Sequence, residues 1–162
     1  MNKHERIQAA LRGETVDRVP LSLWRHFFCE DRTAEGLAEI TLGFAQAYDL
    51  DLVKLTPCGL YAVEDWAGQS ITYPGNDYDP PYLFELAVTD PAAWRQLLPL
   101  QPTSGALGRE LEAIRLVAEG LAEITPGEAR GTAPLMMTVF SPLTLAYKLA
   151  GDRAITHLRE HP

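Results

Sequence analysis

An arginine and a histidine end the first apolar segment of the sequence. The segment VPLSLW, residues 19–24, is followed directly by Arg25 and His26. The guanidinium of Arg25 offers a planar pair of donors that suits a carboxylate or a phosphate, and an ion pair within the chain is the alternative. The acidic residues considered for that ion pair are Glu30, Asp31, Glu64 and Asp65.

The imidazole of His26 suits a proton donor, a ligand or a hydrogen-bonded structural residue. No His, Cys or carboxylate stands beside it at metal-ligand spacing, so the structural role is favoured and no metal site is predicted. Arg25 and His26 are therefore candidate substrate-binding residues, with these structural roles as alternatives.

Two further apolar segments lead to reactive side chains. Cys58 follows LDLVKL at residues 50–55, and Tyr147 lies one turn inside the helix predicted after PLMMTVF at residues 134–140. In parallel α/β proteins, reactive groups lie just past the carboxyl ends of the strands. Cys58 is thus a candidate substrate-binding residue. Tyr147 is a candidate catalytic residue, with packing in the core as an equal alternative.

Three charged residues near these strands have structural interpretations that we favour. Lys54 stands within the second apolar segment, where it could line a barrel interior, but snorkelling or an ion pair with a neighbouring strand is more typical. Glu64 and Asp65 are adjacent, and neighbouring side chains point in different directions. We therefore expect a solvated loop or a helix cap there, and not an acid-base couple.

Apolar segments alternate with helical patterns along the chain. Thr33, Asp90 and Ser141 are predicted N-caps, and Gly13 is predicted to end the first helix. Helical stripes are predicted for Ile7, Ala10 and Leu11, and for Leu107, Leu111, Ile114, Val117, Ala118 and Leu121. Residues 62–82 predict a hairpin or a long loop.

Strands that alternate with helices predict parallel pairing. Three buried strands form a narrow sheet with two unpaired edges, which indicates part of a larger sheet. Eight such units close a (β/α)8 barrel of about 250 residues or more.

Composition limits the kind of protein further. The chain has 162 residues, 46% of them apolar, and a formal net charge of −8. These values predict a globular domain and argue against nonspecific binding to nucleic acid or to anionic membranes. The two cysteines lie far apart, no signal sequence is recognisable and no apolar run approaches the about 18 residues that span a bilayer. We expect a cytoplasmic protein.

Two stretches resemble the uroporphyrinogen decarboxylase superfamily. KHERIQAALRGETVDRVPLSLWRHF is similar to its amino-terminal signature, and VFSPLTLAYKLAG is similar to its third strand and the following helix. The resemblance implies a (β/α)8 barrel. Residues 1–162 would form the amino-terminal part of that single domain, with about its first three βα units.

The resemblance implies cofactor-free decarboxylation of the acetate side chains of a tetrapyrrole. Protonating a pyrrole carbon creates a cation that a carboxylate stabilises, while arginines hold the acidic side chains. Arg25 aligns with the first of two family arginines, whereas Cys29 stands at the second, which Arg32 matches only with a shift. Cys58 stands at or beside the family aspartate, and Tyr147 matches the family tyrosine if one residue is deleted.

The same superfamily contains corrinoid and coenzyme M methyltransferases, which use zinc to activate a thiol. Their zinc ligands would come from the carboxyl-terminal half of the barrel, and their partners are a methyl donor and a corrinoid protein. A non-catalytic module that binds a partner through a sheet edge is a further alternative. The complete protein is thus expected to be a carboxy-lyase or a methyltransferase, and this part by itself is expected to be inactive.

Overall fold

The computed structural model describes residues 1–124 and 132–161. The helices are α1 (Lys3–Leu11), α2 (Ala34–Ala47), a 3-10 helix (Pro91–Gln96), α3 (Gly105–Ile124), α4 (Pro142–Ala150) and α5 (Arg153–Glu160). The strands are β1 (Val53–Leu55), β2 (Ser70–Thr72), β3 (Tyr82–Glu85) and β4 (Leu135–Met137).

Strands β1 and β4 form a parallel pair, in which Val53 is opposite Leu135 and Leu55 is opposite Met137. These are the second and third apolar segments of the sequence, so their predicted parallel pairing is confirmed. Helices α2 and α3 pack together and share a buried core with Val53 and Leu55. Burial alternates along β1. Val53 and Leu55 are buried, and the side chain of Lys54 between them lies on the other face of the strand.

The predicted first strand is wrong as a regular element, because residues 19–24 form no strand. The carbonyl of Leu21 accepts hydrogen bonds from the backbone N–H groups of Asp51 and Leu52, so the segment lies beside the approach to β1. The N–H of Leu21, however, donates to the Asp51 side chain at 2.8 Å, and Pro20 has no N–H to donate. Two donors of a continuous ladder are therefore missing.

The predicted buried faces of two helices are partly wrong. In α1 the buried face carries Arg6, while Leu11 is 77% exposed. In α3, Leu111 is half-exposed and Ala118 is exposed, whereas Ala113, Val117 and Leu121 form the buried face in the core shared with α2. A Cβ built on Gly120 would come too close to the side chain of Leu42, so glycine there allows the two helices their close approach.

The predicted helix caps are confirmed. Thr33 accepts a hydrogen bond from the N–H of Gly36, Ser141 accepts one from Thr144, and the Asp90 carboxylate caps the 3-10 helix. The predicted hairpin region contains the antiparallel pair β2 and β3. Within residues 1–124 and 132–161, none of the helices combines the length and the apolar composition of a membrane-spanning helix.

Candidate functional site

Three segments meet at the carboxyl end of the parallel pair, and we call them the mouth: residues 24–28, 56–61 and 138–141. The hydroxyl of Tyr61 donates to the carbonyl of Thr138 at 3.1 Å and joins the segment after β1 to the segment after β4. The first segment contacts the second through His26, whose imidazole lies against the backbone of Thr56 and Pro57. The mouth therefore collects side chains from three distant parts of the sequence.

Arg25 lies half-exposed at the mouth. Its Nε donates to the carbonyl of His26 at 3.1 Å, and its guanidinium lies 4.8 Å from the centroid of the Phe27 ring. The nearest carboxylate oxygen in the described structure belongs to Asp77, at 3.8 Å, and not to any of the four acidic residues considered from the sequence. An exposed pair at this distance is worth at most about 1 kcal/mol, so the guanidinium keeps donors for a ligand.

His26 is half-buried between two aromatic side chains. Its ring stacks on Phe28 at 5.0 Å and meets the edge of Trp24 at 6.0 Å. Burial lowers the pKa of the imidazole, and the positive charge of Lys54 lowers it further. The buried Nδ1 atom has no hydrogen-bond partner among the described residues. A neutral imidazole at neutral pH follows from this environment.

Lys54 extends from the face of β1 opposite the helices. Its Nζ lies 3.7 Å from the centroid of the Trp24 ring, which is the geometry of a cation–π contact. Among the residues that the structure describes, no carboxylate lies within 4.0 Å of this ammonium, so the expected ion pair with a neighbouring strand is not found. The aromatic ring holds the charge in place without neutralising it.

Arg32 shows the same arrangement in the loop before α2. Its guanidinium lies 3.4 Å from the centroid of the Tyr73 ring, just after β2. No described carboxylate forms an ion pair with it. Burial raises the pKa of the Tyr73 phenol, so this ring stays neutral at physiological pH. Arg32 is thus a second cation that an aromatic face holds in place.

Cys58 is a buried free thiol, with 4% of its surface exposed. Burial raises its pKa to about 11, and the nearby negative charges of Asp31 and Glu64 act in the same direction. The thiol is therefore neutral at physiological pH. It cannot supply the negative charge that the superfamily resemblance places at this point.

Two buried carboxylates lie behind this thiol: Asp31, which the sequence offered only as an ion-pair partner of Arg25, and Glu110, to which the sequence gave no role. Asp31 is 1% exposed and Glu110 of α3 is 3% exposed. Burial raises the pKa of Asp31 to about 7, helped by the charge of Glu110, and burial raises the pKa of Glu110 as well. Both oxygens of Asp31 and one of Glu110 lack a described hydrogen-bond partner. Glu110 stands three and seven residues before buried Ala113 and Val117, and this spacing is the signal that could have identified it.

The adjacent acidic residues have structural roles. The Glu64 carboxylate pairs with Arg109 at 2.9 Å, and Arg109 also contacts Glu110 at 3.0 Å. The Asp65 carboxylate accepts a hydrogen bond from the N–H of Ala106 in the first turn of α3. Asp65 therefore caps a helix, in agreement with the interpretation favoured from the sequence.

Tyr147 is half-exposed on α4, and its hydroxyl donates to Asp152 at 3.1 Å. That hydrogen bond raises the pKa of the phenol. The next residue, Lys148, instead lies against the mouth, with its Nζ 4.8 Å from the centroid of the Phe140 ring. The catalytic role of Tyr147 and the binding roles of Arg25, His26 and Cys58 stay predictions.

A zinc site would need several His, Cys, Asp or Glu side chains close together. Within residues 1–124 and 132–161, no group of three or more such residues could hold a metal ion. The residues of this part therefore do not fit a zinc ion, and no step of the chemistry is assigned to one here.

The parallel pair and its helical connection fit part of a (β/α)8 barrel, and the candidate residues described above lie at the carboxyl ends of these strands. The family model described as Uroporphyrinogen decarboxylase (URO-D) matches residues 2–160. Since this match covers nearly the whole sequence, the chain belongs to the uroporphyrinogen decarboxylase family.

A methyltransferase from Methanosarcina mazei has a similar structure, with a TM-score of 0.72 and 22% sequence identity. The match covers 96% of this chain and 47% of the methyltransferase chain, so this chain spans about half the length of that protein. At this identity the likeness establishes the fold, which is that of the first three or so βα units of the barrel. A comparison with curated proteins finds no significant match.

Proposed function

We propose that the mouth binds the carboxylate groups of a tetrapyrrole, and that the complete protein decarboxylates the acetate side chains of this substrate. The observation that carries the proposal is the state of the basic side chains around the mouth. Lys54 and Arg32 rest on aromatic rings without a carboxylate partner in the described structure, and Arg25 has only a long contact with Asp77. The chain as a whole carries a net charge of −8, so unpaired cations in one region are informative.

These cations are preorganised to meet an anionic ligand. An aromatic face attracts a cation and shields one side of it from water, but leaves its charge available to an anion. A carboxylate that reaches such a cation replaces water and forms a charge-assisted hydrogen bond. The exposed ring of Trp24 also offers apolar surface that suits the flat rings of a tetrapyrrole. A nucleic acid or an anionic membrane is not the proposed partner, because the net charge opposes both.

The experiment is a calorimetric titration of the complete protein with uroporphyrinogen. We expect Arg25→Ala to weaken binding by about tenfold, which corresponds to about 1.4 kcal/mol. The matched control is Arg12→Ala, because Arg12 is an exposed arginine that pairs with Glu14 beside α1, outside the mouth. Equal affinity of the wild type and Arg25→Ala would contradict the role of Arg25, and failure of the wild type to bind would contradict the proposal.

Methyl transfer is the second candidate, and the structural likeness to a methyltransferase favours it. Under this alternative the complete protein would bind one zinc ion through residues outside the described part, and a corrinoid protein or another methyl donor would be its partner. Metal analysis of the complete protein distinguishes the two candidates. A stoichiometric zinc ion would favour methyl transfer, and a protein that decarboxylates uroporphyrinogen without metal would exclude it.

A further inference from the structure

Lys148 is a basic residue that the proposed function does not use. It lies half-buried on α4, and its Nζ is 4.8 Å from the centroid of the Phe140 ring. The carbonyl of Lys148 accepts a hydrogen bond from the Gln69 side chain at 3.4 Å, which ties this part of α4 to the segment before β2. Within the described residues, no carboxylate forms an ion pair with the ammonium.

The ammonium lies against the chain that follows β1. A Cβ built on Gly59 would be 3.7 Å from the Lys148 Nζ and 3.5 Å from the nearest carbon of Phe140. The charge therefore sits directly beside the residue that follows Cys58. This location belongs to the mouth, but the residues around it differ from those around Lys54.

The surroundings of Lys148 leave its charge without compensation. Burial lowers the pKa of the ammonium, and the neighbouring Cys58 thiol is neutral, with a pKa of about 11. A half-buried cation without a counter-charge loses hydration that an anionic ligand can replace. Phe140 covers one side of the amine, so an anion would approach from the remaining side.

We propose that Lys148, Phe140 and the backbone at Gly59 form a second subsite for a carboxylate at the mouth. The inference rests on the proposed function when that carboxylate belongs to the tetrapyrrole, since the subsite would then hold an acidic side chain away from Arg25. A small dicarboxylate such as succinate carries the same chemistry. The two sources are distinguished by separate arms of one experiment.

The experiment measures how fast acetic anhydride modifies each lysine, read by mass spectrometry of peptides. The sequence has three lysines, and Lys3 is an internal control because it pairs with Asp49 beside α1. The complete protein is labelled alone, with saturating uroporphyrinogen, and with succinate. We expect at least one anion to slow acetylation of Lys148 by about threefold or more, while Lys3 reacts at an unchanged rate.

The arms separate the two proposals. Protection of Lys148 by succinate, together with no binding of uroporphyrinogen, would contradict the proposed function and support the subsite. Binding of uroporphyrinogen without protection of Lys148 in either arm would overturn the subsite and leave the proposed function standing.

Two variants test the charge itself in the same protein. We expect Lys148→Met to weaken binding of the protecting anion by about tenfold and Lys148→Arg to stay within about threefold of the wild type. Equal affinity of Lys148→Met and the wild type would overturn the subsite. The labelling of the wild type gives the result should the Met variant fail to fold.

Discussion

The Lys54 ammonium of β1 lies 3.7 Å from the centroid of the Trp24 indole ring, although the two residues are 30 positions apart in the sequence. Lys54 stands between two buried residues of its strand, so its side chain extends from the opposite face. Trp24 is 54% exposed, so little of the core depends on it. The contact therefore orients a charge at the mouth and contributes only modestly to the stability of the fold.

Replacement of the indole tests this interpretation. We expect Trp24→Ala to lower the free energy of unfolding by about 1 kcal/mol or less, because a cation–π contact at an exposed site is worth about 0.5–1 kcal/mol. Chemical denaturation measures the effect, with Trp24→Phe as a control that keeps an aromatic face. A loss of several kcal/mol would mean that Trp24 is a core residue instead.

The opposite behaviour is expected of Asp51, whose carboxylate is fully buried. It accepts hydrogen bonds from Arg6 at 2.6 Å, from both terminal nitrogens of Arg18 and from the backbone of Leu21. Removing one partner of a buried ion pair leaves the other charge uncompensated, so Asp51→Ala should cost about 3–5 kcal/mol of stability. The measurement is the midpoint of urea unfolding.

The matched control is Glu14→Ala, which breaks an exposed ion pair with Arg12 just after α1, the helix that carries Arg6. An exposed pair contributes at most about 1 kcal/mol, so this variant should unfold near the wild-type midpoint. If Asp51→Ala and Glu14→Ala lowered the free energy of unfolding by similar amounts, burial of the Asp51 ion pairs would contribute nothing to stability.

The pKa of Asp31 predicts a pH dependence of stability. The native carboxyl has a pKa of about 7, against an ordinary value of 3.8, so the native state binds the proton more tightly than the unfolded state. The free energy of unfolding should therefore fall as the pH rises between these two values, and stay level above about 7. Glu110 acts in the same direction, because its pKa is raised too.

Asp31→Asn removes this titration. We expect the variant to be more stable than the wild type at pH 8, by up to about 4 kcal/mol, and to lose part of the pH dependence between pH 4 and 7. The control is Asp79→Asn, at an exposed loop residue between β2 and β3. Thermal unfolding across the pH range measures both. A wild-type pH profile in the Asp31→Asn variant would contradict the assigned pKa.

The two cysteines should react at very different rates. Cys29 is exposed, whereas Cys58 is buried with a pKa of about 11, and only the thiolate is nucleophilic. We expect iodoacetamide at pH 8 to modify Cys29 at least about a hundredfold faster than Cys58. Peptide mass spectrometry measures both rates, and denatured protein, in which both should react, is the control. Equal rates in the native protein would contradict the burial of Cys58.

Local chemistry accounts for the parts of the fold that could be predicted from the sequence. The Thr33 and Ser141 caps depend on hydrogen bonds within three residues, and the parallel strands show as apolar runs between helical patterns. The segment at residues 19–24 has the same kind of apolar run, but its backbone hydrogen bonds depend on a residue outside the segment. The N–H of Leu21 donates to the Asp51 carboxylate, and no pattern within the segment predicts that hydrogen bond.

The sequence predicts which residues follow each strand of the candidate site, but not which of them contact one another. Arg25 and Cys58 were chosen as candidates because they follow apolar runs, but the contact of Arg25 with Asp77 depends on where the β2–β3 connection lies. Lys54 was noted in the sequence, yet its aromatic partner Trp24 comes from a different segment. Such contacts depend on long-range packing, which periodicity does not encode.

The most direct test of the carboxylate-binding mouth is the ratio of two affinities, measured by calorimetry on the complete protein. Uroporphyrinogen carries the acetate groups that coproporphyrinogen lacks, and Lys54→Met removes a cation beside the mouth while keeping its apolar stem. We expect the wild type to bind uroporphyrinogen at least about tenfold more tightly than coproporphyrinogen, and Lys54→Met to lose most of this preference. Equal affinity of the wild type for both tetrapyrroles, or an unchanged preference in Lys54→Met, would contradict the carboxylate-binding mouth.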